Sequence, residues 1–334
     1  MAYTEIDNPE IYFQCKTYTG NGSTQTITLD NTDADLDADM IWLKARNHAY
    51  SHQLFDTVRG TTKLLNPEAN EAEQTLSGIT GFSTDSFDIG SDAGTNANTK
   101  TFVAWCWKEA TAAGLDIVTY SGDGQSNREI SHGLSAVPKT MWLKNRSGAH
   151  AWMVYHDGLG YNSGSVPRFL QFDNTNAQNN GGSGDFPADP TSSVFKVGSY
   201  DTMNKNGDNI VAYVFTEKKG FSKFGTYKGN GSATAGPFIY TGFRPAYVMA
   251  KEASGTGHWR IRDNKRSTFN PVGVVLYTNG NNTETTEDNI DFLSNGFRLY
   301  TSGGENNGSG DSYVYWAWAE NPFVNSNGVP GNAR

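Results

Sequence analysis

The chain is 334 residues long, enough for two or three domains of about 100–200 residues each. Its formal net charge of −9 argues against wrapping nucleic acid, and two cysteines, Cys15 and Cys106, are too few for a disulfide framework or a four-thiolate zinc site. Only 36% of residues are apolar, yet 18 Phe, 16 Tyr and 8 Trp exclude disorder; with 37 Gly they describe short strands joined by many loops.

In chain order, the stretch from Met1 to Asp7 has neither the basic nor the apolar region of a Sec signal and is not expected to act as one. No apolar run approaches the ~18 residues of a membrane helix. Residues 1–13 read as an N-terminal arm. Tyr18-Thr19-Gly20-Asn21-Gly22 then opens a pattern that returns as Tyr120-Ser121-Gly122-Asp123-Gly124 and Tyr227-Lys228-Gly229-Asn230-Gly231. A strand-like segment ending in Lys44, Lys144 or Lys251 follows 26, 24 and 24 residues after each tyrosine. An aspartate, Asp56, Asp157 or Asp263, comes 12, 13 and 12 residues after the lysine. Each unit closes on an apolar octet: residues 102–109, 210–217 and 313–320. Four anchors in one order at near-constant spacing indicate triplication.

The steps between tyrosines are 102 and 107 residues, long enough for each copy to bury its own core. The closing octets and lysine segments are apolar nearly throughout, as strands covered on both faces are. In the third copy, residues 237–240, 247–251, 257–262, 274–277 and 297–300 also read as strands, with Gly242-Phe243-Arg244-Pro245 as a turn. The expected fold is all-β: three tandem antiparallel β-sandwich (jelly-roll) units of about 105 residues. They are placed at residues 14–113, 114–220 and 221–323, as three closely spaced beads with a tail at 324–334. The first unit is the acidic one, with 7 basic against 16 acidic residues in 1–113.

Several segments resemble a family of repeat proteins encoded by tailed bacteriophages, many of them marine. They are Met1-Ala2-Tyr3-Thr4 with Tyr12-Phe13, the three Tyr-x-Gly-Asn/Asp-Gly motifs, and Phe55-Asp56-x-Val58-Arg59-Gly60. To these are added the run from Gly242 to Lys251, Asp263-Asn264-Lys265-Arg266, Phe292-Leu293-Ser294-Asn295-Gly296-Phe297, and the tail from Ala319 to Arg334. The resemblance implies concanavalin A-like lectin/glucanase-type sandwiches and a place in or on the virion. It carries over no catalytic residue.

Candidate chemistry is sparse. Asp33, Asp35, Asp37 and Asp39 alternate as calcium ligands do, but Ala38 and Lys44 stand where an EF-hand needs Gly and Glu; a looser cage competes with a solvated acidic loop. The Lys/Asp anchors read as structural ion pairs repeating with the fold. His48 and His52 are spaced i, i+4 without the glutamate of a zinc-protease motif, and no nucleophile elbow or P-loop occurs. Sugar binding takes an aromatic face plus polar hydrogen-bonders; Trp152 with His156 and Asp157, and Trp259 with Arg260 and Asp263, offer such sets, against core packing as the plainer reading.

The expectation is a non-enzymatic virion structural protein, assembled in the host cytoplasm, acting as a tail-fibre or receptor-binding component that recognises a host surface glycan. A capsid-decoration or head-fibre protein is the first alternative, and a polysaccharide-degrading tail enzyme the second. Expected partners are other virion proteins, a cell-surface glycan and further copies of the chain. No nucleic acid, membrane insertion, cofactor or metal is expected.

Overall fold

The computed structural model describes residues 4–30, 35–287 and 289–331. The architecture is all-β, built from antiparallel sheets. Three larger sheets share one strand order. The first runs Phe13–Thr19, Thr101–Trp107, Met40–Ala45, Gln53–Asp56. The second runs Leu115–Ser121, Asn209–Phe215, Thr140–Asn145, Met153–His156, Phe169–Leu170. The third runs Ser222–Lys228, Ser312–Pro322, Phe243–Glu252, Arg260–Asp263, Val274–Tyr277, Thr285–Thr286. In each, the closing strand lies between the opening strand and the lysine strand. Smaller sheets cover one face: Gln25–Thr28 with Ser86–Ile89 and Ile79–Ser83; Arg128–Ser131 with Val194–Val197; Phe238–Tyr240 with Gly296–Leu299 and Ile290–Leu293.

Strand periodicity explains why the closing octets lack polar residues. In the first repeat, Phe102, Ala104 and Cys106 face the small sheet, whereas Val103, Trp105 and Trp107 point the other way. In the second, Ala212 and Val214 face the small sheet, whereas Val211, Tyr213 and Phe215 point away from it. These away-facing rows do not meet solvent. They join one core made by all three larger sheets, which holds all eight tryptophans, each less than 2% exposed. Trp42 and Trp142 meet edge-to-face at 6.0 Å, Trp107 and Trp318 at 5.3 Å, and Trp105 and Tyr247 at 5.6 Å. The separate beads expected from the repeat length are therefore corrected: the repeats bury their inner faces against one another.

The Tyr-x-Gly-Asn/Asp-Gly motif ends each opening strand and docks it on a four-residue helix that precedes the closing strand: Ala93–Asn96, Asp201–Asn204 and Gly304–Asn307. The helix-end asparagine accepts the motif's N–H at 2.8 Å from Asn21, 3.1 Å from Asp123 and 2.8 Å from Asn230. It donates back to the motif side chain at 3.2, 3.0 and 3.1 Å. The motif tyrosine donates its hydroxyl to a helix carbonyl at 2.7, 2.7 and 3.0 Å. The motif's first glycine is required by close approach, since a Cβ on Gly122 would lie 2.0 Å from the Lys205 carbonyl oxygen. The stretch read as a turn at Gly242-Phe243-Arg244-Pro245 instead begins a ten-residue strand, with register shifts on either side of Pro245.

Candidate functional site

Strand pairing fixes which residues correspond. Met40 pairs with Asp56, Thr140 with His156 and Tyr247 with Asp263, so the position of Asp56 and Asp263 is held in the second repeat by His156, not Asp157. The extra residue in the second spacing falls before Asp157, which lies in the following turn, exposed and paired to Lys139 at 2.6 Å.

The corresponding residues bond across repeats in a closed cycle. Trp105 of the first repeat donates Nε1–H to Asp263 Oδ2 of the third at 3.0 Å. Tyr213 of the second donates its hydroxyl to Asp56 Oδ2 of the first at 2.6 Å. Trp316 of the third donates Nε1–H to the Thr140 hydroxyl of the second at 2.9 Å. A second cycle follows the same sense: His52 to the Tyr277 carbonyl at 2.9 Å, Trp152 to the Asn66 carbonyl at 2.9 Å, and Trp259 to the Gln171 carbonyl at 3.0 Å. His52 Nδ1 accepts from Trp42 at 2.9 Å, so Nε2 carries the proton and the ring is neutral. Burial holds its pKa well below the usual histidine value. A third cycle is made by backbone: Glu73 N–H to the Arg146 carbonyl, Gln178 to Ala253, and Glu284 to Arg46, at 2.9, 2.9 and 2.8 Å.

Side chains on the third cycle differ. Arg146 clasps Glu73 through two bonds of 2.7 and 2.9 Å, and Arg46 clasps Glu284 through two of 2.9 Å. Behind them Arg59 and Asp56 form a buried pair, as do Arg266 and Asp263 at 2.6 Å. The second repeat has His156, Leu159 and Gln178 in these places, facing Ala253. The ionic set has gone as a set, leaving no orphaned charge there. His156 keeps the turn by accepting the Gly158 N–H at 3.0 Å, and burial lowers its pKa to about 4. Where the clasp is missing, a cleft of about 480 Å³ opens between the second and third repeats, lined by Leu159, Gln178 and Ala253 among others.

The expected sugar-binding residues are thus not gathered on a surface. Trp152 and Trp259 are fully buried, His156 and Asp263 nearly so, and their polar atoms are taken by protein partners. Arg260, 5% exposed, bonds Glu287 and Glu305. Neither tryptophan can offer a ring face to a ligand without opening the core. The Lys/Asp ion pairs are also corrected. Lys44 and Asp56 sit at opposite ends of their strand pair, and Lys44 and Lys144 give their ammonium groups to the carbonyls of Ala45 and Asn145 at 2.8 and 2.7 Å. Lys251 does the same with Glu252. Burial lowers all three lysine pKa values to about 8.

In the acidic loop, Asp33 lies outside the described residues. Asp37 pairs with Lys108 at 3.2 Å, and Asp39 accepts from Thr57 at 3.0 Å and from the Glu109 N–H at 2.8 Å. Asp35 shares a hydrogen bond with Asp85, which raises its pKa. Among the described residues no three His, Cys, Asp or Glu side chains converge as metal ligands. Cys15 and Cys106 are free and buried.

Exposed aromatics are found elsewhere: Tyr161, Tyr200, Phe238, Tyr240 and Phe269, the last 80% exposed. All fall in the second and third repeats. Sequence reading missed them because each stands alone in a polar segment, whereas Trp152 and Trp259 drew attention by repeating; repetition here marks packing. The replacement of Arg59, Glu73 and Arg146 by Leu159, Gln178 and Ala253 was the readable signal for the cleft, hidden by the one-residue offset at Asp157.

The sequence matches, over residues 8–322, the family described as Domain of unknown function (DUF7483). No curated protein matches it.

Proposed function

Since the chain belongs to the DUF7483 family, whose description assigns no activity, we propose on the residues themselves that it is a non-enzymatic binding scaffold of a tailed-bacteriophage virion. Its role in this reading is that of a tail-fibre or receptor-binding component contacting a host surface glycan. The observation that carries the scaffold reading is the fate of the repeated polar residues. Asp56, Asp263, Tyr213, Trp105, Trp316 and the buried lysines are all bonded within or between repeats, so what recurs with the fold serves the fold. The common strand order supports describing the chain as three tandem concanavalin A-like jelly-roll units joined through their inner sheets. The residue resemblance to phage repeat proteins supports the virion, and exposed aromatics beside Asn/Gly/Ser loops in the second and third repeats suit glycan contact.

The test is competition and location. Purified chain added to host cells should lower adsorption of the phage that encodes it, and labelled antibody should decorate the tail. Decoration of capsid faces without competition would replace this role with a capsid one. Release of reducing ends from host polysaccharide would replace it with an enzyme.

A further inference from the structure

The cleft between the second and third repeats differs from its two counterparts in more than lacking a clasp. At the counterparts, an arginine from one repeat is neutralised by a glutamate from the next. Here both partners are replaced, but two other cations line the opening, Arg168 and Lys228, and no acidic residue does. Arg168 makes no side-chain hydrogen bond or ion pair among the described residues, and its Nε is buried without an acceptor. A buried guanidinium N–H left unpaired is costly, and a guanidinium is shaped to hold a carboxylate through two parallel bonds. The remaining wall supplies the amide of Gln178, the hydroxyl of Ser312 and the buried ring of Tyr313. The volume of about 480 Å³ falls within the roughly 300–1,000 Å³ of small-molecule sites. Overall charge of −9 disfavours a polyanion but not a ligand with one charge among many hydroxyls.

We propose that this cleft binds a carboxylate-bearing sugar, a uronic-acid unit, with Arg168 taking the carboxylate and Gln178 and Ser312 the hydroxyls. The inference deepens the glycan-binding reading and rests on it for biological meaning, though the site is defined by its own lining. Calorimetric titration of the full chain with trigalacturonate, galactotriose and acetate tests it. Trigalacturonate should bind at least about tenfold more tightly than either comparison ligand, as expected for one charge-assisted pair joined to hydroxyl contacts. Arg168→Gln should remove about that tenfold advantage with thermal stability unchanged. Rebuilding the clasp with Gln178→Glu and Ala253→Arg should abolish binding by filling the cleft. Equal affinity for acidic and neutral trisaccharides, or for acetate, would overturn the assignment, as would binding indifferent to Arg168→Gln. Uronate binding at this site with no effect of the chain on phage adsorption would keep the site and discard the receptor role. Adsorption blocked by neutral glycans alone would do the reverse.

Discussion

Two of the three interfaces between repeats are ionic, and the third is not. The first–second and third–first interfaces each stack a buried Asp–Arg pair behind a two-bond Arg–Glu clasp. The second–third interface keeps the same backbone bond and the same cross-repeat aromatic donor, but it substitutes His156, Leu159, Gln178 and Ala253. The lesson is that the cycle of aromatic donors and carbonyl acceptors holds the repeats in place, while the charges are an optional set that must be present or absent together. Removing one member leaves another buried without its counter-charge; removing all leaves a neutral site and a cleft.

The sharpest way to break this comparison is to remove one charge alone. Arg266→Leu copies Leu159 but leaves Asp263 buried with only Trp105 and backbone N–H donors. The expected cost is about 3–5 kcal/mol, read by urea or thermal unfolding. The paired exchange Asp263→His with Arg266→Leu, which copies the second repeat, should recover most of that loss. Equal losses for the single and paired variants would show that the charges are not a coupled set.

How much of this was legible beforehand follows the same divide. The all-β class, the threefold repetition and the closing strands were readable because apolar runs and spacing depend on local sequence. The shared core was not. An octet such as residues 102–109 says that both faces are covered, and says nothing of whether Trp105 meets its own repeat or another. The sugar-binding expectation failed for the same reason: a tryptophan beside polar residues looks alike in a groove and in a core. The correspondence of His156 with Asp56 was hidden because the turn aspartate, Asp157, sits one residue on and mimics the anchor.

The second prediction uses the histidine that replaces the carboxylate. Buried His156 has its pKa lowered to about 4, chiefly by desolvation, against about 6.5 in an unfolded chain. Between those values the unfolded state binds the proton and the native state does not. The contribution of His156 is therefore complete above pH 6.5 and is lost as pH falls toward 4. The loss is roughly 3 kcal/mol. Comparing wild type with His156→Gln by chemical unfolding from pH 7 to 4 isolates it, and the wild type should lose stability more steeply. Parallel curves would mean that the imidazole is not held neutral.

A smaller effect should be indifferent to the divide. Asn96, Asn204 and Asn307 make the same reciprocal bonds to the three Tyr-x-Gly-Asn/Asp-Gly motifs. Each change to alanine should cost about 1–3 kcal/mol, since it orphans a backbone N–H and other buried partners. The three values should agree, whichever interfaces their repeats form. A much smaller cost in the second repeat would extend the asymmetry from the interfaces to the repeat itself.

The smallest expected effect concerns the clasps. Arg146 and Glu73 are partly exposed, as are Arg46 and Glu284, so solvent and salt screen them. Their two-bond geometry lifts them above an ordinary surface pair, and about 1 kcal/mol each is expected. Arg146→Ala should lower stability by that amount in dilute buffer and by less in high salt. Arg46→Ala should match it. Each change also recreates the alanine that Ala253 already supplies at the second–third interface, so neither should separate the repeats: the Glu73 N–H still reaches the carbonyl of residue 146, as Gln178 reaches Ala253. Hydrogen exchange of the tryptophan-rich strands reads this directly. Protection of residues 101–107 and 209–215 should stay at wild-type levels in Arg146→Ala. Loss of that protection would mean that the clasp, rather than the aromatic cycle, holds the first two repeats together, and that the second–third interface relies on something its neighbours lack.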